Sequence, residues 1–354
     1  MSQMPLLGRP PRRPRRRLTL VVVLLAVAAG AVWFFAFRRR APAPPPAPSV
    51  VATAPATQPP DAAPPPPPPV DEVTRAGMRY VRATVEGPLE TAIVKQVGRE
   101  LGEALTGVVT RTLVWWVSVP EDLRRGDVVE VLATERLGAE PLVHAVRFQS
   151  EKDMVRYEAY RWQPPGAAFA RFYTRDGKEL ELRLHDAPLD DYEQVTSLLR
   201  DGRGHAGVDF KVPVGTPVKA TFDSVVVRKN WNFRGNGNCV ELREREGTHR
   251  SAYFLHLSEV PEDLRPGDRV TRGQVVAHSG NTGHSFAPHL HYQLVSTSGK
   301  ILDPFESHGT ARRALPDDQK AAFDAEVARL DSLLARGAES FASASSRPDA
   351  GAAP

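Results

Sequence analysis

Residues 283–294, GHSFAPHLHYQL, set His289 and His291 one residue apart, immediately after Pro288. Successive side chains of a β-strand point to opposite faces, so a strand here projects both imidazoles from one side while Leu290 points away. Two histidines on one face make half of a site, and the rest of the chain has to supply the other half.

Upstream, GRGHAGVDF (202–210) holds His205 and Asp209 four residues apart among glycines, the pattern of a turn feeding a strand, from which both side chains can fold toward one point. Between the two segments, AYFLHLSEV (252–260) places His256 on a predicted strand beside Tyr253. The chain has a single cysteine, Cys239, read as a small core residue, which excludes an internal disulfide and any multi-cysteine metal cluster. A metal therefore needs His and carboxylate ligands. Three such ligands with an open fourth position are what hydrolysis at zinc requires, and His205, Asp209 and one histidine of the pair supply them.

Taken in order, HAGVD (205–209), YFLHL (253–257) and GNTGHSFAPHLH (280–291) resemble the signature of the lysostaphin-type, LytM-like zinc peptidases, which cut peptide bonds in bacterial peptidoglycan. The resemblance covers residues 195–305 closely. It extends more loosely over 72–190 and the terminal helix, toward the membrane-linked murein endopeptidases of Gram-negative bacteria. It implies one zinc ion per chain held by His205, Asp209 and His291, with His256 and His289 as the catalytic pair, and a LytM-like antiparallel β peptidase domain of the duplicated hybrid motif type over 191–306. Two departures touch selectivity rather than the ligands: Phe286 and Ala287 stand where the family has Thr and Gly, and the approach VTSLLRDGRG (195–204) is short.

Composition places the rest. In a chain of 354 residues with 33 prolines, part must be linker. The net charge is +4, yet nine arginines lie in the first forty residues, so the remainder is mildly acidic and nucleic acid is not expected as a partner. Residues 18–37, LTLVVVLLAVAAGAVWFFAF, are uncharged and long enough to cross a bilayer as a helix of about 30 Å. Arginines are denser before this run than after it, which puts residues 1–17 in the cytoplasm as a basic tail and everything past residue 40 in the periplasm, anchored in the inner membrane. The Pro-rich segment 41–70 reads as an extended polyproline II spacer.

Residues 71–190 read as an α+β domain: a strand at MRYVRATVEG (78–87), an amphipathic helix with Ile93, Val97, Leu101 and Leu105 on one stripe, and a hairpin turning at Asp176-Gly177. A regulatory role is expected for it, occluding the groove until an envelope partner removes it. The phrase VPEDLRRGDVV (119–129) returns as VPEDLRPGDRV (260–270), the same turn into a strand used twice. After Pro304 a helix with Phe323, Val327, Leu330 and Leu334 on one face is expected to pack on the peptidase domain, giving a helical extension over 307–337 and a disordered tail over 338–354. The fold class is thus mostly β, preceded by an α+β domain and an N-terminal transmembrane helix. The expected activity is zinc-dependent hydrolysis of peptidoglycan cross-links in the envelope. A LytM-like protein that activates an amidase without catalysing is the alternative; a lipoyl-type carrier is excluded, since GDRVTRGQVVA (267–277) has no lysine at its hairpin tip.

Overall fold

The computed structural model describes residues 71–199, 201 and 204–345; the expected membrane span, the spacer and the last nine residues lie outside these. Among the described residues no helix is long and apolar enough to cross a membrane.

In chain order the first part comprises α1 (Glu72–Arg75), β1 (Arg79–Thr84), α2 (Leu89–Val97), α3 (Arg99–Leu113), β2 (Val128–Thr134), β3 (Leu142–Gln149), β4 (Arg156–Trp162) and β5 (Arg171–Tyr173). The second part begins with β6 (Arg183–Leu184), β7 (Gln194–Ser197), β8 (Val208–Lys211), β9 (Pro217–Lys219), β10 (Ser224–Lys229), α4 (Phe233–Asn236), β11 (Asn238–Glu244) and β12 (Ser251–Leu257). It ends with β13 (Arg269–Val270), β14 (Val275–His278), β15 (His289–Val295), β16 (Ile301–Leu302), α5 (Pro304–His308), β17 (Thr310–Ala311) and α6 (Asp317–Ser345).

Strands β1 to β5 form one antiparallel sheet in sequence order. Its strands carry apolar residues on both sides because both faces are covered. Val131 and Val146 enter a core with Ile93, Leu105 and Val109 of α2 and α3, while their chain neighbours Leu132 and Ala145 enter another with Tyr160, Phe323, Leu330 and Leu334. The single helix expected from the Ile93–Leu105 stripe is two: Gly98, at φ 84°, breaks it, and the two segments fold against each other on the same face of the sheet. The Asp176-Gly177 turn forms, with the Gly177 amide donating to the Thr174 carbonyl.

The terminal helix differs from expectation in place and length. The apolar stripe of α6 packs on the first sheet, against β1, β2 and β4, instead of on the peptidase sheet that precedes it in sequence. Arg147 and Arg175 both reach Asp331 on α6 (2.6 and 2.8 Å), fixing the helix over that face. It runs on to Ser345, through part of the expected disordered tail, because Phe341 still meets Tyr80 edge to face at 6.5 Å between ring centres.

The second sheet is antiparallel with order β13-β10-β11-β12-β15-β8-β7, and β16 pairs with β15. Alternation divides its two faces. Val208, Phe210, Phe254, Leu290, Tyr292 and Leu294 go to the core, and Asp209 and His291, paired directly across β8 and β15, stand on the other side. The repeated phrase is one turn used twice: Asp127 accepts from the Arg124 amide (2.7 Å) as Asp268 does from the Arg265 amide (2.6 Å). The two cores meet at Trp115, which packs on both and lies edge to face with Phe305.

Behind the sheet His308 is buried, its Nε2 2.8 Å from the Tyr292 hydroxyl, which is in turn 2.9 Å from Thr221 Oγ1. Burial, helped by the positive charge of Arg250, pushes this imidazole down to about 4, against the opposing pull of Asp186 and Glu244. The unfolded chain, at about 6.5, binds the proton more readily. Stability is therefore complete above about pH 6.5 and is lost as pH falls toward 4, by up to about 3 kcal/mol from this group. Urea unfolding of the His308→Gln variant should show a flatter pH dependence through that window than the parent chain; identical slopes would contradict the assignment.

Candidate active site

The site is built on the open face of the second sheet. His291 on β15 stands opposite Asp209 on β8, and His289 stands opposite Lys211. His205 comes from the loop just before β8. Its Nε2 lies 3.2 Å from Asp209 Oδ1 and 3.1 Å from His291 Nδ1, and His291 Nδ1 lies 2.9 Å from the same Oδ1. Three atoms from three segments thus form a triangle with sides near 3 Å.

The hydrogen bonds behind these rings decide which nitrogens face inward. His205 Nδ1 is 3.1 Å from the Leu198 carbonyl, His256 Nδ1 is 2.9 Å from that of Thr282, and His289 Nδ1 is 2.8 Å from that of Ala287. A carbonyl only accepts, so each Nδ1 carries a proton and each ring turns its Nε2 toward the site. His291 is the exception and presents Nδ1. Its ring has room because residue 207 is glycine: a Cβ there would fall 2.8 Å from His291 Nε2 and 2.5 Å from the Tyr292 carbonyl oxygen.

His256 reaches the site by a backbone irregularity that alternation does not anticipate. Leu255 is the residue paired with His291, so in a regular strand His256 would point to the opposite, core side with Phe254. Instead it adopts φ 62°, unusual for a residue with a side chain, and its ring comes within 4.8 Å of that of His289, centre to centre. Thr282 holds it there, since the carbonyl that receives His256 Nδ1 belongs to the residue whose amide donates to the His256 carbonyl (3.4 Å). The structure therefore brings together all five residues singled out in the sequence, and what the sequence left unseen are the carbonyls of Leu198, Thr282 and Ala287 and the space left by Gly207.

Charge is distributed unevenly. Burial opposes ionisation of Asp209, but the hydrogen bonds of the His205 and His291 rings outweigh it and hold the carboxyl well below the usual carboxylate range. Burial also works against protonation of His205, where the Asp209 carboxylate prevails and raises the ring above its ordinary value. His256 has no such close partner, and burial pushes it down to about 4. Of the other histidines near the motif, His284 is exposed and His278 sits half-buried on β14. Cys239 is fully buried and far from nucleophilic, its thiol raised by burial.

The donor set fits a zinc ion. Tetrahedral coordination at about 2.0–2.1 Å separates neighbouring ligand atoms by about 3.3 Å, close to the triangle formed by His205 Nε2, Asp209 Oδ1 and His291 Nδ1. Two lone pairs and a carboxylate oxygen at such distances repel one another unless shared protons or a cation lie among them, and these are the atoms a zinc ion would take.

Residues 203–304, which hold all five site residues, match the model of Peptidase family M23. The chain carries a peptidase family M23 domain. Relatives of the chain include the peptidoglycan DD-endopeptidase ShyA of Vibrio cholerae, 30% identical over 249 residues that make up 67% of this chain and 55% of ShyA. The glycyl-glycine endopeptidase ALE-1 of Staphylococcus capitis is 45% identical over 98 residues, 28% of this chain and 26% of that protein. Lysostaphin of Staphylococcus simulans is 40% identical over 116 residues, 33% and 22% of the two chains. The chain thus spans about half the length of ShyA and about a quarter of the staphylococcal relatives.

If the M23 site depends on the space at residue 207, Gly207→Ala should lower zinc content after dialysis by about tenfold or more while leaving the secondary structure intact, as read by metal analysis and circular dichroism. Undiminished zinc in that variant would show that the ring of His291 is not held as described.

Proposed function

We propose that the chain is a zinc metalloendopeptidase that hydrolyses peptide cross-links of peptidoglycan, held at the inner membrane by residues 18–37 with its folded part in the periplasm. The observation that carries this reading is the convergence of His205 Nε2, Asp209 Oδ1 and His291 Nδ1, with the Nε2 atoms of two further histidines beside them. The relatives named as peptidoglycan and glycyl-glycine endopeptidases support it.

His205, Asp209 and His291 would hold the zinc, which when bound polarises a carbonyl and lowers the pKa of water toward about 7. The chain supplies the proton chemistry. His289, with Nδ1 tied to the Ala287 carbonyl, keeps Nε2 open 3.8 Å from Asp209 Oδ1. His256 keeps Nε2 open in the same way. Between them the two rings take the proton of the attacking water and return it to the leaving amine, and a ring that has gained a proton donates a hydrogen bond to the oxyanion. Their contact fixes the pair as a unit, since the rings lie 4.8 Å apart.

The non-catalytic alternative gains no support from the site, because none of the five functional side chains is missing. The first sheet and its helices meet the M23 domain at edge strand β7, where Arg111 Nε donates to Gln194 Oε1 at 3.1 Å, and at Phe305. The hydrogen-bond partners of the five site side chains come from residues 198–291. Occlusion of the groove by residues 71–190 is accordingly not part of the proposal.

Treatment of purified sacculi with the full-length chain, followed by a muramidase, should convert cross-linked muropeptide dimers to monomers, and a chelator should stop it. His289→Ala should slow the reaction by about 10²–10⁴-fold while keeping bound zinc, and Asp209→Ala should lose both. Intact sacculi together with stimulation of an amidase would overturn the enzyme in favour of the regulator.

A further inference from the structure

Every Phe, Tyr and Trp among the described residues is at least partly buried except two, Phe233 and Phe286. Phe233 is 56% exposed and Phe286 is 92% exposed. Isolated exposed aliphatic side chains are ordinary on a protein surface, but these are the two exposed aromatic rings, and both lie on the loops that wall the active site.

The two loops are one unit. The His284 amide donates to the Gly235 carbonyl at 3.0 Å, and the Asn238 amide donates to Thr282 Oγ1 at 2.9 Å. Their backbones approach so closely at Gly237 and Gly283 that a Cβ on Gly283 would fall 2.2 Å from the Gly237 nitrogen. Thr282, at the centre of this junction, also receives His256 Nδ1. Phe286 is tied to the site as tightly. On one side Ser285 Oγ lies 3.2 Å from His289 Nδ1, and on the other the Ala287 carbonyl lies 2.8 Å from the same nitrogen. Ser285 is further held by Asn281 Oδ1 at 2.6 Å, and the ring of His284 meets Phe286 edge to face at 5.3 Å. The ring is therefore presented to solvent by a braced turn whose two flanking residues grip a catalytic histidine.

We propose that Phe233 and Phe286 are specificity-determining residues that grip small aliphatic side chains of the peptide next to the scissile bond. The inference rests on the endopeptidase reading for the identity of that bond. Phe286 is three residues from His289, and its turn is fastened to the histidine ring, so whatever it touches lies within a residue or two of the bond being cut. That part of the substrate is peptide. A phenyl ring offers no hydrogen bond, so the pair selects methyl-bearing residues by apolar contact.

The test uses the full-length chain, its Phe286→Thr and Phe233→Ser variants and the double variant, with sugar-free cross-linked peptides made from muropeptide dimers. KM should rise about tenfold for the double variant, with kcat within about twofold and zinc content and melting unchanged, as expected for lost uniform binding. Equilibrium binding of the same peptides to chains carrying His289→Ala gives a readout independent of turnover, and Kd should rise by the same factor. If the parent chain binds the peptides without cleaving them and the Phe variants weaken binding, the endopeptidase reading fails and the contact stands. Unchanged KM and Kd would overturn the proposal. So would a loss confined to glycan-bearing ligands, which would assign the rings to the sugar, and so would a parent chain that neither binds nor cleaves.

Discussion

The arrangement depends on holding two imidazole nitrogens and a carboxylate oxygen within about 3 Å of one another, a cluster that shared protons or a cation must hold together. Antiparallel register makes it possible. Pairing of β15 with β8 puts His291 beside Asp209 without any long-side-chain compromise, because directly opposed residues share a face. His205 is then added by a loop in which its Nδ1 meets the carbonyl of Leu198, just after β7. The rest of the second sheet serves to hold that register, with Phe210, Leu290 and Tyr292 buried on the reverse side so that a slip of one residue would exchange core for site.

The pair formed by His256 and His289 is organised by a different device. Both rings are tethered through Nδ1 to backbone carbonyls of the 281–287 loop, so one loop fixes two tautomers. The left-handed backbone at His256 costs about 1–3 kcal/mol in the usual case, and its position beside the site is where such strain tends to be kept. The close glycine contact between the 281–287 loop and the turn carrying Phe233 couples the groove wall to the same tethers. The tethers of both rings and the two exposed aromatic residues therefore belong to one connected piece of chain.

Much of this was legible in local sequence. The one-residue spacing of His289 and His291 gave their common face, and the HAGVD segment gave a turn into a strand, because both readings depend only on neighbouring residues. His256 shows the limit: its strand was foreseeable, but alternation would have buried the ring, and the φ of 62° that turns it outward has no local signal in YFLHL. Gly98 is the converse, a signal that was present and outvoted by a regular apolar stripe across 93–105. The terminal helix was legible as a helix from Phe323, Val327, Leu330 and Leu334, but not its partner. That choice was made by Leu132, Ala145 and Tyr160, nearly two hundred residues earlier, through surface complementarity that no window of sequence contains. The first seventy residues, on which the anchored location rests, lie outside the described residues.

The central claim concerns which atoms surround the ion, and X-ray absorption at the zinc edge of the full-length chain loaded with one equivalent of zinc reads that most directly. The account predicts a four-coordinate first shell of nitrogen and oxygen at about 2.0–2.1 Å with the multiple-scattering signature of two imidazoles. A sulfur scatterer at about 2.3 Å, or a six-coordinate shell of oxygen without imidazole, would contradict it.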